Sequence, residues 1–176
     1  YGTLFDVFSV TALCERLFPG KGDALALLWR TKQLQYSFLR SLMGRYTDFW
    51  QLTEDGLVYA AKSLNVELTA DKRKQLMEAY LHLTPFPDVK PGLEALKKLG
   101  LRLAILSNGA PNMLNVVAKD AGLDTLLDAI ISVDDVKIFK PSPQVYTLAP
   151  ARLKVDVGAL GFVSSNSWDI NGAASI

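Results

Sequence analysis

From Pro85 to the last residue, short apolar runs alternate with amphipathic stretches at helical spacing, with Gly and Pro between them. That alternation restricts the fold more than any other feature of the chain. Val89 to Leu99 has the spacing of a helix that stops at Gly100. Leu101 to Leu106 is an apolar run broken only by Arg102, as expected of a strand covered on both faces. Pro111 to Ala121 is helical with a stop at Gly122, Ala129 to Val133 is a short strand, Pro143 to Leu153 a helix, and Ala159 to Val163 another buried strand. Strand and helix in alternation predict a doubly wound parallel sheet with right-handed crossovers, a Rossmann-like α/β core. In such sheets a ligand sits beyond the carboxyl ends of the strands. The loops there are Ser107 to Pro111, Asp134 to Pro141 and Ser164 to Asp169, all rich in hydroxyl, amide, amine and carboxylate groups. They predict a single polar site.

Ahead of Pro85-Phe86-Pro87 the pattern is helical throughout. Ser9 to Leu17 and Ala24 to Leu39 carry apolar residues at helical spacing, with turn chemistry in Pro19-Gly20-Lys21-Gly22 between them. Thr53 to Leu64 opens on a capping threonine followed by Glu54 and Asp55, and Thr69 to Leu83 repeats the device with Asp71 in its first turn. With 176 residues, 49% of them hydrophobic, the chain can bury one good core and a small second module. Its 19 basic and 18 acidic residues leave a net charge of +1, which gives nucleic acid or an anionic membrane no electrostatic hold and points to a small-molecule partner. Cys14 is the single cysteine, so no internal disulfide forms; it reads as a small buried hydrophobe in a reducing, cytoplasmic setting. No apolar run nears the roughly 20 residues of a membrane helix, and the first residues lack the layout of a signal peptide. His82, the only histidine, lies in a helix end at Leu81-His82-Leu83 and reads as structural or solvated, with no catalytic triad to be built around it.

Several short stretches carry chemistry. Tyr1-Gly2-Thr3-Leu4-Phe5-Asp6 is a turn-like opening into helix, and a Gly-Thr pair in that place is common by itself. Ser107-Asn108-Gly109 directly follows a strand, where a plain turn uses the same residue types. Phe139-Lys140-Pro141 puts a lysine at a strand end beside a proline, which a solvated charge explains less well. Ser164-Ser165-Asn166-Ser167-Trp168-Asp169 is the most specific stretch, by its order and spacing after a buried strand. In the helical half, Arg30 after Trp29 reads by itself as a surface charge with its stem over apolar neighbours, and Phe49-Trp50 reads as core. Taken together, these stretches resemble the L-2-haloacid dehalogenases of the haloacid dehalogenase superfamily, and the resemblance runs over essentially the whole chain.

The resemblance implies an α/β core of residues 1–6 and 86–176, with a helical cap inserted at residues 7–85. It implies hydrolysis of L-2-haloalkanoic acids to D-2-hydroxyalkanoic acids through an aspartyl ester. That makes a carbon–halide hydrolase with neither metal nor cofactor, with a 2-haloacid and water as small-molecule partners, and a homodimer joined on the cap side. In the superfamily the nucleophilic aspartate stands two positions before the residue matched by Tyr1, so the chain is expected to be truncated at both ends and inert without that residue. Asp6 lies too far along to replace it.

Tyr1 holds the position where the superfamily's phosphatases carry a second aspartate, and Ser164, Ser165 and Asn166 are neutral where those enzymes have an acidic pair. Oxygens of that kind hold a divalent cation weakly, which favours the dehalogenase branch. Residue by residue, Lys140 keeps the nucleophile ionised, while Thr3 and Ser107 orient its oxygens or hold the substrate carboxylate. Arg30 and Asn108 receive the halide, and Tyr1, Phe49 and Trp168 line the substrate and halide pocket. Asp169, with Asn166, positions and deprotonates the hydrolytic water; Tyr146 and Ser164 complete the set. Two other readings stand beside this one: a phosphatase of the same fold, and an inactive binding module.

Overall fold

A computed structural model describes the whole chain, residues 1–176. Four helices fill the first half: α1 (Thr11–Leu17), α2 (Gly22–Leu42), α3 (Phe49–Ser63) and α4 (Ala70–Leu81). The long α2 packs against both α1 and α3 through the stripe Leu25, Ala26, Trp29, Gln33 and Ser37, spaced three and four residues apart. Gly56 permits the close approach of α3, because a Cβ there would stand 3.3 Å from the Gln33 nitrogen. Trp29, Phe49, Leu52, Leu57 and Tyr80 are almost wholly buried, and each contributes about 1.5–3 kcal/mol relative to an exposed position. The chain enters and leaves this half at one crossing. Phe5 and Pro85 form an antiparallel bridge, with the Asp6 nitrogen donating to the Thr84 carbonyl at 2.8 Å and Phe86 to Leu4 at 3.0 Å.

The second half runs α5 (Val89–Lys98), β1 (Ala104–Ser107), α6 (Pro111–Asp120), β2 (Ala129–Ser132), α7 (Pro143–Tyr146), α8 (Leu148–Leu153) and α9 (Ser167–Ala173). β1 and β2 pair in parallel, Ala104 opposite Ala129 and Ser107 opposite Ser132, so both carboxyl ends open on the same side. Thr69 caps α4 as expected, its hydroxyl accepting from the Lys72 nitrogen at 3.3 Å. Gly100 and Gly122 follow α5 and α6 with φ of 77° and 62°, the left-handed stop that glycine adopts without cost. One hydrophobic cluster of 25 buried residues spans both halves, joining Trp29, Phe49 and Tyr80 to Met113, Val117 and Phe139.

The structure corrects four expectations. Thr53 does not cap α3: the helix begins four residues earlier, Asp48 accepts from the Gln51 nitrogen at 2.8 Å, and Thr53 is buried inside the helix. The helix expected over Pro143 to Leu153 breaks at Thr147 into α7 and α8, because Pro150 has no amide proton for the Tyr146 carbonyl and its ring crowds that oxygen. Leu101 to Leu106 is not covered on both faces; β1 alternates, with Ala104 exposed and Ile105 buried, and Leu101 is outside it and 49% exposed. Ala159 to Val163 is not a buried strand. It is a short 3-10 turn over Val157–Ala159 followed by an extended segment, and Val163 is 80% exposed. A strand needs a neighbour's hydrogen-bonding edge, and the sheet consists of β1 and β2 alone.

Candidate active site

The carboxyl ends of β1 and β2 set out the site. Ser107 and Ser132, side by side in the ladder, brace the turn after β1. Ser107 Oγ accepts from the Gly109 nitrogen at 3.1 Å, and Ser132 Oγ donates to the Gly109 carbonyl at 2.7 Å. Gly109 has to be glycine, since a Cβ would fall 2.6 Å from Tyr1 Cε2 and 2.8 Å from Leu114 Cδ2. The braced turn presents Asn108, whose Oδ1 accepts from the Lys140 backbone nitrogen at 2.9 Å and so fixes the loop after β2.

That loop delivers Lys140 into the interior, 5% exposed, where its Nζ meets Asp169 Oδ2 at 3.1 Å. Asp169, from the first turn of α9, is 6% exposed; its Oδ1 accepts from the Tyr146 hydroxyl at 2.7 Å. Burial lowers the Lys140 ammonium below its usual range, with the Asp169 carboxylate acting against that effect. The Tyr146 phenol is pushed up, by burial first and then by its bond to Asp169, and stays a protonated donor. Phe162 closes the group, its ring centroid 4.9 Å from Lys140 Nζ and edge-on to Tyr146 at 5.8 Å.

The opening residues bridge this group to the helical half. Ser165 donates from its nitrogen to Thr3 Oγ1 at 3.2 Å and from its hydroxyl to the Gly2 carbonyl at 2.6 Å. Ser164 Oγ accepts from the Asn166 nitrogen at 3.2 Å. Around the point where Gly2 would carry a Cβ stand Asn166 Nδ2 at 3.7 Å, Arg30 Nη2 at 3.8 Å and Ser165 Oγ at 3.8 Å. Arg30, from α2, thus faces the loop that leads into α9. The Tyr1 ring stacks on Phe49 at 6.1 Å and lies 6.0 Å from Tyr80, and its buried hydroxyl has no hydrogen-bond partner.

Of the residues singled out in the sequence, Thr3, Arg30, Ser107, Asn108, Lys140, Tyr146, Ser164, Asn166 and Asp169 join in one connected set with Tyr1 and Phe49. Trp168 is beside Asp169 in the chain, but its recorded ring contact is edge-on to Phe38 of α2 at 5.2 Å. His82 takes no part, lying half exposed against Asp120 and Glu78. Sequence reasoning missed Ser132, Phe162 and the buried polar side chains Gln33, Thr53 and Tyr80 behind Arg30. For Gln33 a signal was available: a polar residue one turn after Trp29 in the apolar stripe of α2.

Chemically, the set offers a buried cation held by a carboxylate, a guanidinium facing it from the helical half, and neutral donors between. That arrangement accepts an anionic substrate and a second developing anion. The family model of haloacid dehalogenase-like hydrolases matches residues 1–176. The (S)-2-haloacid dehalogenase of Pseudomonas sp. (strain YL) is 50% identical over 173 residues, which make up 98% of this chain and 75% of that protein. Among solved structures, the L-2-haloacid dehalogenase of Xanthobacter autotrophicus with chloropropionic acid covalently bound matches with a TM-score of 0.94 and 46% identity, covering 99% of this chain and 71% of that one. Another L-2-haloacid dehalogenase matches with a TM-score of 0.97 and 47% identity, over 99% of this chain and 79% of its own. With likeness of this extent in sequence and in backbone, the chain belongs to the haloacid dehalogenase-like hydrolases, among the (S)-2-haloacid dehalogenases.

Proposed function

We propose that this protein hydrolyses L-2-haloalkanoic acids to D-2-hydroxyalkanoic acids, in line with the 2-haloacid dehalogenation that its relatives' names carry. The observation that supports this best is the buried Lys140–Asp169 pair, 3.1 Å apart, beside a loop whose Asn166 closes with the facing Arg30 around Gly2. An aspartate two positions ahead of Tyr1, where the family's spacing puts the nucleophile, would stand next to that point. Its carboxylate oxygen attacks the halogen-bearing carbon from the side opposite the halogen. A carbon–oxygen bond forms as the carbon–halogen bond breaks, the electron pair leaves with the halide, and the configuration inverts. Water then adds to the ester carbonyl, its proton passes to a base, and the hydroxyacid departs with the aspartate restored.

Within this scheme Lys140 stabilises the ionised nucleophile, and Thr3 and Ser107 orient it or the substrate carboxylate. Arg30 and Asn108 receive the halide, against walls formed by Tyr1, Phe49 and Trp168. Asp169 serves the hydrolytic water with Asn166 and also holds Lys140 in place, while Tyr146 and Ser164 hold Asp169 and Asn166. The helical residues 7–85 act as a cap over the core of residues 1–6 and 86–176. The phosphatase reading has less support, because Tyr1 brings a phenol that burial makes still harder to ionise, not a carboxylate. A cytoplasmic setting agrees with Cys14, a single buried free thiol. A homodimer on the cap side agrees with Leu27, Leu42 and Met43, which α2 and its end leave 60%, 84% and 58% exposed; sedimentation of the full-length protein tests it.

The test of the function is the full-length enzyme with L-2-chloropropionate, following chloride and the configuration of the lactate. Chloride with D-lactate in equal amount is the expected result. L-lactate, or no chloride, overturns the proposal.

A further inference from the structure

Burying an amide costs free energy unless every strong hydrogen bond is replaced, and a leucine or methionine would suit the apolar stripe of α2 at least as well as Gln33. Gln33 is nevertheless fully buried. Its Oε1 accepts from Arg30 Nη1 at 2.7 Å and from the Tyr80 hydroxyl at 2.9 Å, and its Nε2 donates to Thr53 Oγ1 at 2.7 Å. Thr53 sends its own proton to the Phe49 carbonyl at 2.6 Å, and the Thr53 carbonyl accepts from Trp29 Nε1 at 2.7 Å. These partners leave the amide one orientation. Arg30 can only donate, and the Thr53 proton is already engaged, so the Gln33 oxygen must face Arg30 and its nitrogen must face Thr53. Three helices, α2, α3 and α4, therefore hold one side of the guanidinium, and Nη2 stays directed at Gly2.

We propose that Gln33, backed by Thr53 and Tyr80, is the positioning residue for Arg30, fixing the guanidinium plane at the departing halide while leaving its charge uncompensated. The second half of that statement is why the residue is an amide. A glutamate would also accept from Arg30 and Tyr80, but its carboxylate would neutralise the charge that an anion is to meet. The inference rests on the assignment of Arg30 to the halide made above.

The experiment uses the full-length enzyme and single-turnover halide release from L-2-chloropropionate and L-2-bromopropionate, with Arg30→Lys, Gln33→Met, Gln33→Glu and the double variant Gln33→Met/Arg30→Lys. Gln33→Met should lower chloride release about tenfold, the loss of one charge-assisted hydrogen bond, and bromide release less, because a better leaving group depends less on its acceptor. Gln33→Glu should be impaired as well despite keeping the acceptor. In the Arg30→Lys background Gln33→Met should add almost nothing, since both changes remove the same interaction. Thr53→Val should show a weaker form of the same halide bias, and Thr53→Ser should recover most of it, which carries the test if Gln33→Met does not fold. Equal losses for the two halides, or multiplying losses in the double variant, mean that Gln33 only supports packing and overturn the inference while Arg30 keeps its role. If Arg30→Lys releases halide like the wild type, the Arg30 assignment fails and takes the inference with it.

Discussion

Lys140 and Asp169 form an ion pair taken almost wholly out of water, 5% and 6% exposed, and we assign its two members to different steps. Their loss should therefore be felt differently. With Asp169→Asn the halide still leaves but the water has no base, a loss of about 10²–10⁴-fold in turnover. Intact-protein mass spectrometry should then show an acyl adduct after about one turnover. With Lys140→Ala the first step itself is slow, and no adduct should build up. An Asp169→Asn enzyme with neither burst nor adduct would leave Asp169 as the group that holds Lys140 and nothing more. On that assignment the same pair should also set the alkaline limit of activity. Burial lowers the Lys140 pKa from the ordinary 10.5, so the protonated form that the first step needs is lost as pH climbs through that lowered value. The fall of kcat/KM should start below pH 10.5, and Asp169→Asn, which removes the charge that opposes the shift, should move it further down. A limb at or above the free-lysine value would show that Lys140 is not the titrating group.

Between elements, contacts are decided by small margins. α9 passes α7 so closely that a Cβ on Gly172 would come within 2.7 Å of Tyr146 Cε2 and Cζ, so the glycine is what lets the Tyr146 hydroxyl reach Asp169. Gly172→Ala should cost about 1–3 kcal/mol in urea unfolding, as overpacking does, and should slow hydrolysis of the ester by displacing Tyr146. Urea curves and turnover that both stay at wild-type values would mean that Tyr146 moves freely. α4 and α6 are joined at their ends by His82, whose Nδ1 meets the Asp120 carboxylate. That bond raises the His82 pKa above the ordinary 6.5, against a smaller lowering by burial, with help from Glu78. Stability from this contact is thus fully present below pH 6.5 and is lost as pH rises through the raised value. Because His82 is half exposed the effect is small and screened: the gap in Tm between wild type and His82→Gln should close above neutral pH, and at about 1 M salt. A gap that does not change with pH would remove the contact from the list of stabilising ones.

On the scale of the molecule, the helical half and the α/β half share one apolar interior. The 25-residue cluster reaches from α1 through the helical half into α6 and the loop after β2, so neither half buries its apolar side chains alone. Polar contacts reinforce the seam. Ser41 Oγ accepts from the Phe139 nitrogen at 3.0 Å, the Tyr46 ring packs tilted against Phe139 at 4.9 Å, and the Tyr46 hydroxyl donates to Asp134. The two halves should therefore unfold together. In urea, the fluorescence of the three tryptophans, of which Trp29 and Trp50 report the helical half and Trp168 the seam where α9 meets Phe38 of α2, should follow the loss of helical circular dichroism in a single transition. Two separated transitions would show that the helical half folds as an independent unit.

What the sequence determined by itself was most of what short-range pattern carries. The alternation from Val89 to Ser132, the Thr69 cap and the Gly100 and Gly122 stops all act within a few residues of one another, and the structure keeps them. The motif residues were legible for the same reason, because Lys140 before Pro141 and Asp169 in its serine-rich run are marked by immediate neighbours. The break at Pro150 is local too, and an interior proline should have been read as one. Only the tertiary structure decided which of these groups meet. The separations of 29 positions from Lys140 to Asp169, and of 47 from Gln33 to Tyr80, are closed by the packing of helices on one another and on a sheet. Thr53 shows the cost of reading locally: a threonine before two acidic residues is a good cap in isolation, but α2 lies against α3 there, so the side chain serves Gln33 and the chain finds its cap at Asp48. Ala159 to Val163 shows the converse. Its apolar pattern permits a strand, but strand pairing is supplied by another segment's backbone, and no pattern within five residues encodes that neighbour.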